Sequence, residues 1–518
     1  MYLTQGLHRA LQQRPNAIAS ICGDRAWTFA QFGHRVARLA GALHRLGMKT
    51  GDRVGMLSLN SDVYLEYYLG VYWAGGVVNP VNTRWSVKEI AFSLDDCRTD
   101  ILIVDDQFLP LVGEIRAAAP HLRHIIHAGV APSPAGILRY DDLLDEAEPV
   151  ADAYRSGEDL AGIFYTGGTT GWPKGVMLSH RGLYVNALGL AAEAGLKDDS
   201  VGLHAAPMFH LADGAFMNAL LMVGACHVAL PRFEPVAAMK VIETVGVTET
   251  LLVPTMIQMI ADHPSIGGHD LGSLRTLFYG GSPINEALLE RAERALPGIG
   301  FLQLYGMTEL SPCATILTPE MHREAGRRLG RHRSAGRAII GAQVKVTGPD
   351  GEELPRGAVG QVAVRGPGVM LGYWNRPAET AAALNDGWMM TGDGGRMDDD
   401  GYLFIVDRIK DMIVSGGENI YCAEVEAALA SHPAVATCAI IGIPHELWGE
   451  AVHAFVVTQA DAPVDEAGLI AHCKSLVANY KCPRSISFVP SLPLSGTGKV
   501  LKTELRAPFW EGRERSIA

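Results

Sequence analysis

No two of the eight cysteines in this 518-residue chain form a C-x-x-C pair. The closest in the tail, Cys473 and Cys482, lack the spacing of metal ligands. Free thiols in a reducing compartment follow, and a cytoplasmic location is expected. The start, Met1-Tyr2-Leu3-Thr4-Gln5-Gly6, has neither the basic patch nor the apolar run of a secretory signal. The most apolar stretch, 214–230, is broken by Asn218 and His227 and falls short of a membrane span, so it reads as buried core. Excess positive charge is also missing. The formal charge is −12, which argues against a nucleic-acid partner. No strict repeat is visible.

What the chain does have is apolar content, 48% hydrophobic, enough for a sizeable core in more than one domain. It also has one dense loop, Tyr165-Thr166-Gly167-Gly168-Thr169-Thr170-Gly171-Trp172-Pro173-Lys174-Gly175. Glycines let successive N–H groups point into one concavity, threonine hydroxyls add donors, and Lys174 adds positive charge. That composition makes a phosphate cradle. A Gly/Thr-rich surface turn is the plainer alternative, and the Walker spacing G-x-x-x-x-G-K-[ST] is absent. The apolar run Ala161–Tyr165 reads as the buried strand that delivers the loop.

Residues 1–155 alternate helix and strand signals: a helix over 35–48, a strand over 53–59, a capping box Ser86-Val87-Lys88-Glu89 and a buried strand over 101–104. Strands separated by helices imply layered α/β architecture. Further expectations are a helix over 180–194 and short strands at 201–207, 250–254, 276–279 and 301–305. Three polar, Gly-bearing loops at strand ends suggest one shared site. From about Ala338 the texture turns to short strands and Gly/Pro/Asp turns, a β-rich subdomain. The predicted organisation is a large N-terminal domain over 1–409, made of layered α/β subdomains plus that β-rich part. A small, mobile α+β domain follows over 410–518, with helices near 423–430 and 466–478.

These motifs, in this order along nearly the whole chain, resemble the adenylate-forming superfamily, and most closely its acyl-CoA synthetases of the fatty-acid and aryl-acid type. The resemblance makes the cradle (Thr166, Gly167, Gly168, Thr169, Thr170, Gly171, Lys174) the phosphate loop of an ATP site. A glycine stands where the superfamily's loop usually has serine. In Tyr305-Gly306-Met307-Thr308-Glu309, the resemblance has Tyr305 stack on adenine, Thr308 bond the α-phosphate and Glu309 hold Mg²⁺. A hard cation suits a carboxylate beside phosphate oxygens. Gly281, Ser282 and Pro283 resemble the adenine-side turn. Asp393, in Thr391-Gly392-Asp393, can clamp a ribose diol, with Arg408 reaching the same sugar.

By the same resemblance Lys499, in Ser495-Gly496-Thr497-Gly498-Lys499, bridges the substrate carboxylate and α-phosphate. His210 closes the carboxylate end of the acyl pocket, where amino-acid-activating relatives place an Asp. The pocket walls are Ala212 and Phe216 on one side, Gly306 and Cys313 on the other. Ser415, Gly416, Gly417, Trp448, Tyr480 and Arg484 stand at the CoA face. Lys410 matches the hinge about which the small domain turns between half-reactions. Cys422 departs from the family, which commonly has proline there, and should soften one turn without touching the chemistry.

The implied activity joins a carboxylic acid to CoA at the expense of ATP, through an acyl-adenylate. Medium- or long-chain fatty acids are the expected substrates, with aryl acids as the alternative. No basic residue occupies 211–217, so a dicarboxylate such as malonate would leave one charge unpaired. A luciferase-type oxygenase would share every ATP-site motif; a dead nucleotide-binding regulator would lack Lys499 or Glu309. Six arginines between 323 and 337 suggest either a solvated loop or a basic patch for peripheral membrane contact. Monomer and homodimer both stay open.

Overall fold

The computed structural model describes residues 1–167, 172–282, 284, 286–409, 411–415, 418–459, 464–494 and 500–511. Four sheets organise them. A nine-stranded sheet has a parallel centre built from Ile18–Cys22, Cys226–Ala229, Val201–His204, Glu249–Leu252, Thr276–Gly280 and Gly300–Gly306. Its margins are antiparallel, closed by Arg25–Thr28 at one side and by Cys313–Leu317 and Arg337–Ala338 at the other. An eight-stranded sheet repeats the plan. Leu160–Thr166, Val77–Pro80, Arg53–Leu57 and Thr99–Val104 run parallel, and Lys174–Ser179 folds back antiparallel on Leu160–Thr166.

Parallel strands need helical crossovers and end up covered on both faces. The helix Asp62–Trp73 shows the consequence, since all twelve of its residues are buried. Tyr64, Tyr67, Tyr68 and Tyr72 from it fill the space between the two large sheets. A third, antiparallel sheet gathers Gln343–Thr347, Gly360–Arg365, Leu384–Asn385, Trp388–Met397 and Leu403–Arg408. The fourth comprises Ile413–Ser415, Glu418–Ile420, Val435–His445, Gly449–Thr458 and Ser485–Phe488, and it has its own apolar core around Ile440, Val452, Leu429 and Leu469. The chain is therefore α/β, with a large N-terminal part and a smaller C-terminal one.

The capping box forms as predicted: Ser86 accepts from the Glu89 N–H and Glu89 accepts from the Ser86 N–H, opening the helix Val87–Asp96. Three strand ends fall short of the sequence reading: the strand expected over 53–59 stops at Leu57, and two others have a visible cause. The strand expected to run to Pro207 stops at His204, because the Asn60 amide takes the carbonyls of His204 and Ala206 at 3.0 and 2.8 Å. The one expected to reach Pro254 stops at Leu252, because Pro254 sits in the first turn of the helix Pro254–Ala261, where its missing N–H costs nothing.

Candidate active site

The strands Leu160–Thr166, Thr276–Gly280 and Gly300–Gly306 carry the three loops singled out from sequence. Backbones come close here. A Cβ on Gly280 would lie 2.4 Å from the Leu304 carbonyl, and one on Gly306 would lie 1.9 Å from that of Pro312. Only glycine fits either position. Gly281 follows at φ +78°, turning the chain away from the strand end, with Ser282 next to it.

Tyr305, next to last in its strand, reaches across to the third sheet. Its hydroxyl donates to Asp393 Oδ2 at 2.8 Å. Burial, and then Asp393 itself, push this phenol well above its ordinary pKa, so it stays a donor. Asp393 pairs in register with Arg408, whose Nε lies 3.4 Å from Oδ1. Thr391 Oγ1 accepts from the Asp393 N–H at 3.1 Å and fixes the turn. Tyr305, Asp393 and Arg408 are thus linked by one hydrogen bond and one ion pair.

Thr308 and Glu309 lie in a short 3-10 turn, and both are buried. Glu309 Oε1 accepts from the Tyr373 hydroxyl at 2.8 Å. The Lys174 ammonium sits 5.3 Å from the centroid of the same tyrosine ring. Tyr373 was missed in the sequence because its place comes from pairing of Gly372–Tyr373 with Lys174–Ser179. At the root of the cradle, the Tyr165 hydroxyl donates to Asp96 at 2.6 Å, and Trp172 stacks on Phe92 at 4.8 Å.

His210 precedes the helix Leu211–Val223 and accepts from the Ala212 N–H at 3.2 Å. Behind it, Asn60 Oδ1 accepts from the Met208 N–H at 2.8 Å and the Tyr68 hydroxyl donates to the Met208 carbonyl at 3.0 Å. His204 Nδ1 lies 2.8 Å from Asp213 Oδ2, both fully buried, which ties the helix to its neighbouring strand. Ala212 is half-buried, and Cys313 is buried with its thiol pushed up by desolvation. Phe216 is 0% exposed and packs on Phe278 at 5.2 Å and on the His204 ring at 5.6 Å.

In the small part, Ser415 pairs with Gly449, next to Trp448. The Arg484 guanidinium lies 4.6 Å over the Trp448 ring, which also stacks on His445 at 4.4 Å. Tyr480 is exposed on an adjoining 3-10 turn. The structure brings Ser415, Trp448 and Arg484 onto one surface. Gly168, Thr169, Thr170, Gly171, Pro283, Lys410, Gly416, Gly417 and Lys499 lie outside the described residues.

The arginine segment is extensively paired. Arg327 meets Glu293 at 2.6 Å, Arg333 meets Glu286 at 2.8 Å, Arg328 pairs with Glu324, and Arg331 pairs with Asp400. Arg331 and Arg337 both lie over the Tyr402 ring. No helix among the described residues is long and apolar enough to cross a membrane.

The model of the AMP-binding enzyme family matches residues 7–374, and that of the AMP-binding enzyme C-terminal domain matches 424–499. This chain belongs to that adenylate-forming family. Among its relatives, a feruloyl-CoA synthase of an Amycolatopsis species is 40% identical over 97% of this chain and 98% of its own length. A medium/long-chain fatty acid–CoA ligase of Mycobacterium tuberculosis is 35% identical over 98% of this chain and 90% of its own. ATP-bound MatB from Rhodopseudomonas palustris superposes with a TM-score of 0.89 at 31% identity, covering 98% of this chain and 99% of that one.

Proposed function

We propose that the chain is an AMP-forming acid–CoA ligase, and that its acid is an aryl carboxylic acid of about phenylpropenoate size. The substrate carboxylate attacks the α-phosphate of ATP, pyrophosphate leaves, and the acyl-adenylate then passes its acyl group to the CoA thiolate with release of AMP. In this reading Thr166, Lys174 and Thr308 face the phosphates, Tyr305 covers adenine, and Asp393 with Arg408 holds the ribose. Lys499 neutralises charge at the reacting carboxylate, and Ser415, Trp448 and Arg484 meet CoA. Catalysis is positioning and charge stabilisation, with no side chain as nucleophile.

Mg²⁺ is usually held by one or two carboxylates together with substrate phosphates. A single buried Glu309 beside the cradle fits that pattern. Among the described residues no cluster of three or more His, Cys, Asp or Glu could hold a metal by itself. The ion would shield phosphate charge; Glu309 and the nucleotide would hold it.

Phe216 carries the substrate reading. Taken as a wall of the acyl pocket, as the resemblance implies, a fully buried ring packed on Phe278 would shorten an extended alkyl tunnel. The 40% identity to a feruloyl-CoA synthase supports the same choice. The fatty-acid reading keeps support from the small Ala212 beside His210 and from the Mycobacterium relative. A panel of acids assayed for CoA-dependent AMP release tests both. Higher kcat/KM for ferulate or coumarate than for octanoate is expected. The reverse order selects the fatty-acid reading, and AMP release with no acid at all in the panel rejects the ligase.

A further inference from the structure

We propose that Tyr373 is a positioning residue for the nucleotide: it keeps the cradle lysine and the Glu309 carboxylate from closing on each other and leaves both turned to the phosphates. The proposal rests on the adenylate-forming reading of the site. Lys174 and Glu309 come from different sheets, one on the hairpin after the cradle and one on the turn after Gly306. Opposite charges attract, the more so with one of them buried, and a closed ion pair would neutralise the two groups that a nucleotide and its cation need. Tyr373 touches both and offers each something different. Its hydroxyl donates to Glu309 Oε1 at 2.8 Å, and its ring face receives the Lys174 ammonium at 5.3 Å. A neutral donor and a π face are weaker partners than an opposite charge, so Tyr373 holds each group without neutralising it.

The tyrosine is held from several directions, as a positioning residue must be. The Met370 N–H donates to the Glu309 carbonyl at 2.9 Å. Leu371 and Trp374 N–H groups donate to Met177 and Gly175 at 2.9 and 2.8 Å, stitching the segment to the cradle's own hairpin. The Tyr373 N–H donates to Thr380 Oγ1 at 2.9 Å, and the Trp374 indole donates to the Asp96 carbonyl at 2.9 Å. Gly372, at φ +137°, lets the chain pass where a Cβ would meet Thr380 Cγ2 at 2.9 Å. The ring is therefore placed by backbone that is itself fastened to both of the groups it touches. Burial, followed by the Glu309 charge, pushes the phenol pKa up, which keeps its proton on the Glu309 side.

The test uses the full-length enzyme, Tyr373→Phe and Tyr373→Leu. Calorimetry measures the affinity for ATP with Mg²⁺ and for AMP, and thermal melting is followed in parallel. Tyr373→Phe keeps the ring and loses the donor, and weakens ATP with Mg²⁺ about tenfold, the size expected for a hydrogen bond to a charged group. AMP lacks the outer phosphates, and its loss is smaller by about fivefold or more. Tyr373→Leu also removes the platform for Lys174 and weakens ATP further. Unchanged ATP affinity in Tyr373→Phe overturns the proposal, as does an equal loss for ATP and AMP. Acid-dependent pyrophosphate exchange by the unmodified enzyme is measured beside these. Its absence alone rejects the ligase reading, while the ATP-against-AMP difference still decides the role of Tyr373.

Discussion

The Tyr305 hydroxyl donates to the Asp393 carboxylate at 2.8 Å, joining the end of a parallel strand in the nine-stranded sheet to an antiparallel strand of the next sheet. One carboxylate thereby orders an aromatic face and, through Arg408, a cation. If these residues hold adenosine, the pair is worth testing as a unit. Tyr305→Phe keeps the ring and should raise KM for ATP by about tenfold, the low end for a hydrogen bond to a charged group. Asp393→Ala also removes the diol acceptor and should cost at least about another tenfold. Steady-state kinetics on ATP at saturating acid and CoA check both. A KM for ATP that stays unchanged in Asp393→Ala removes Asp393 from the nucleotide site.

Asn60 makes three buried hydrogen bonds to the segment that delivers His210: two to carbonyls and one from the Met208 N–H. Asn60→Ala leaves those groups unpaired in a dry region. A loss of about 3 kcal/mol in stability is expected, from roughly 1 kcal/mol or more per stranded group. KM for the acid should rise more than KM for ATP, because the displaced segment belongs to the proposed acyl side. Denaturant melts and the two KM values report this, and a stability change under about 0.5 kcal/mol contradicts it.

Acid sensitivity should come from buried histidines: burial lowers His227 and His453, and two more give a test. Burial lowers His180 and His322 to about 4, from an ordinary value near 6.5. Between those values the unfolded chain binds more protons than the folded one. Stability is therefore complete above pH 6.5 and is lost as pH falls toward 4, by at most about 3 kcal/mol for each group. Both ring nitrogens of His180 are buried without a hydrogen-bond partner among the described residues. His180→Leu should shrink the difference in Tm between pH 7.5 and pH 5. An identical difference in the variant would sink the assignment.

The arginines between 323 and 337 are a test of charge read without structure. Arg327, Arg328, Arg331 and Arg333 each meet a carboxylate, which offsets most of the field they would present to a membrane. Sedimentation with neutral and anionic vesicles at low salt should show no difference between the two. Stronger pelleting with the anionic vesicles would restore the basic-patch reading.

Local signals were legible where the chemistry is local. Ser86 and Glu89 are three residues apart, and their capping box could be read and is present. The Tyr305 and Gly306 strand end, with Asp393 and Arg408, was legible because motif order carried it. Tyr373 was not, since it lies 64 residues from Glu309 and becomes its neighbour only through a two-residue strand paired to the cradle hairpin. Asn60 is 144 residues from His204 for the same kind of reason. The helix Asp62–Trp73 escaped notice because it is buried all round, which erases the amphipathic period that marks surface helices.

Cys422 is where the structure changes the sequence reading most. A softened turn was expected; instead the residue opens the helix Cys422–Ala430 and uses both of its donors. Its N–H donates to the Asp407 carboxylate, and its Sγ donates to the Asp411 carbonyl at 3.1 Å. Asp411 in turn accepts from Arg506 at 2.8 Å. The two sides of position 410 are thus fastened to the C-terminal sheet's first helix. We propose that residues 410–518 rotate about Lys410 between the half-reactions, since Lys499 and the Ser415 strand serve different steps. Contacts that hold one orientation must then tilt the balance between those steps. Cys422→Ser keeps both donors and should behave like the unmodified enzyme. Cys422→Pro removes both, while its fixed φ suits the first turn of a helix. Two lost hydrogen bonds correspond to roughly a tenfold shift. The ratio of thioester formation from supplied acyl-adenylate to acyl-adenylate formation from acid and ATP should change by up to about that factor. Assaying both half-reactions in both variants decides the matter. An unchanged ratio in Cys422→Pro means that these contacts move with the rotating part and do not restrain it.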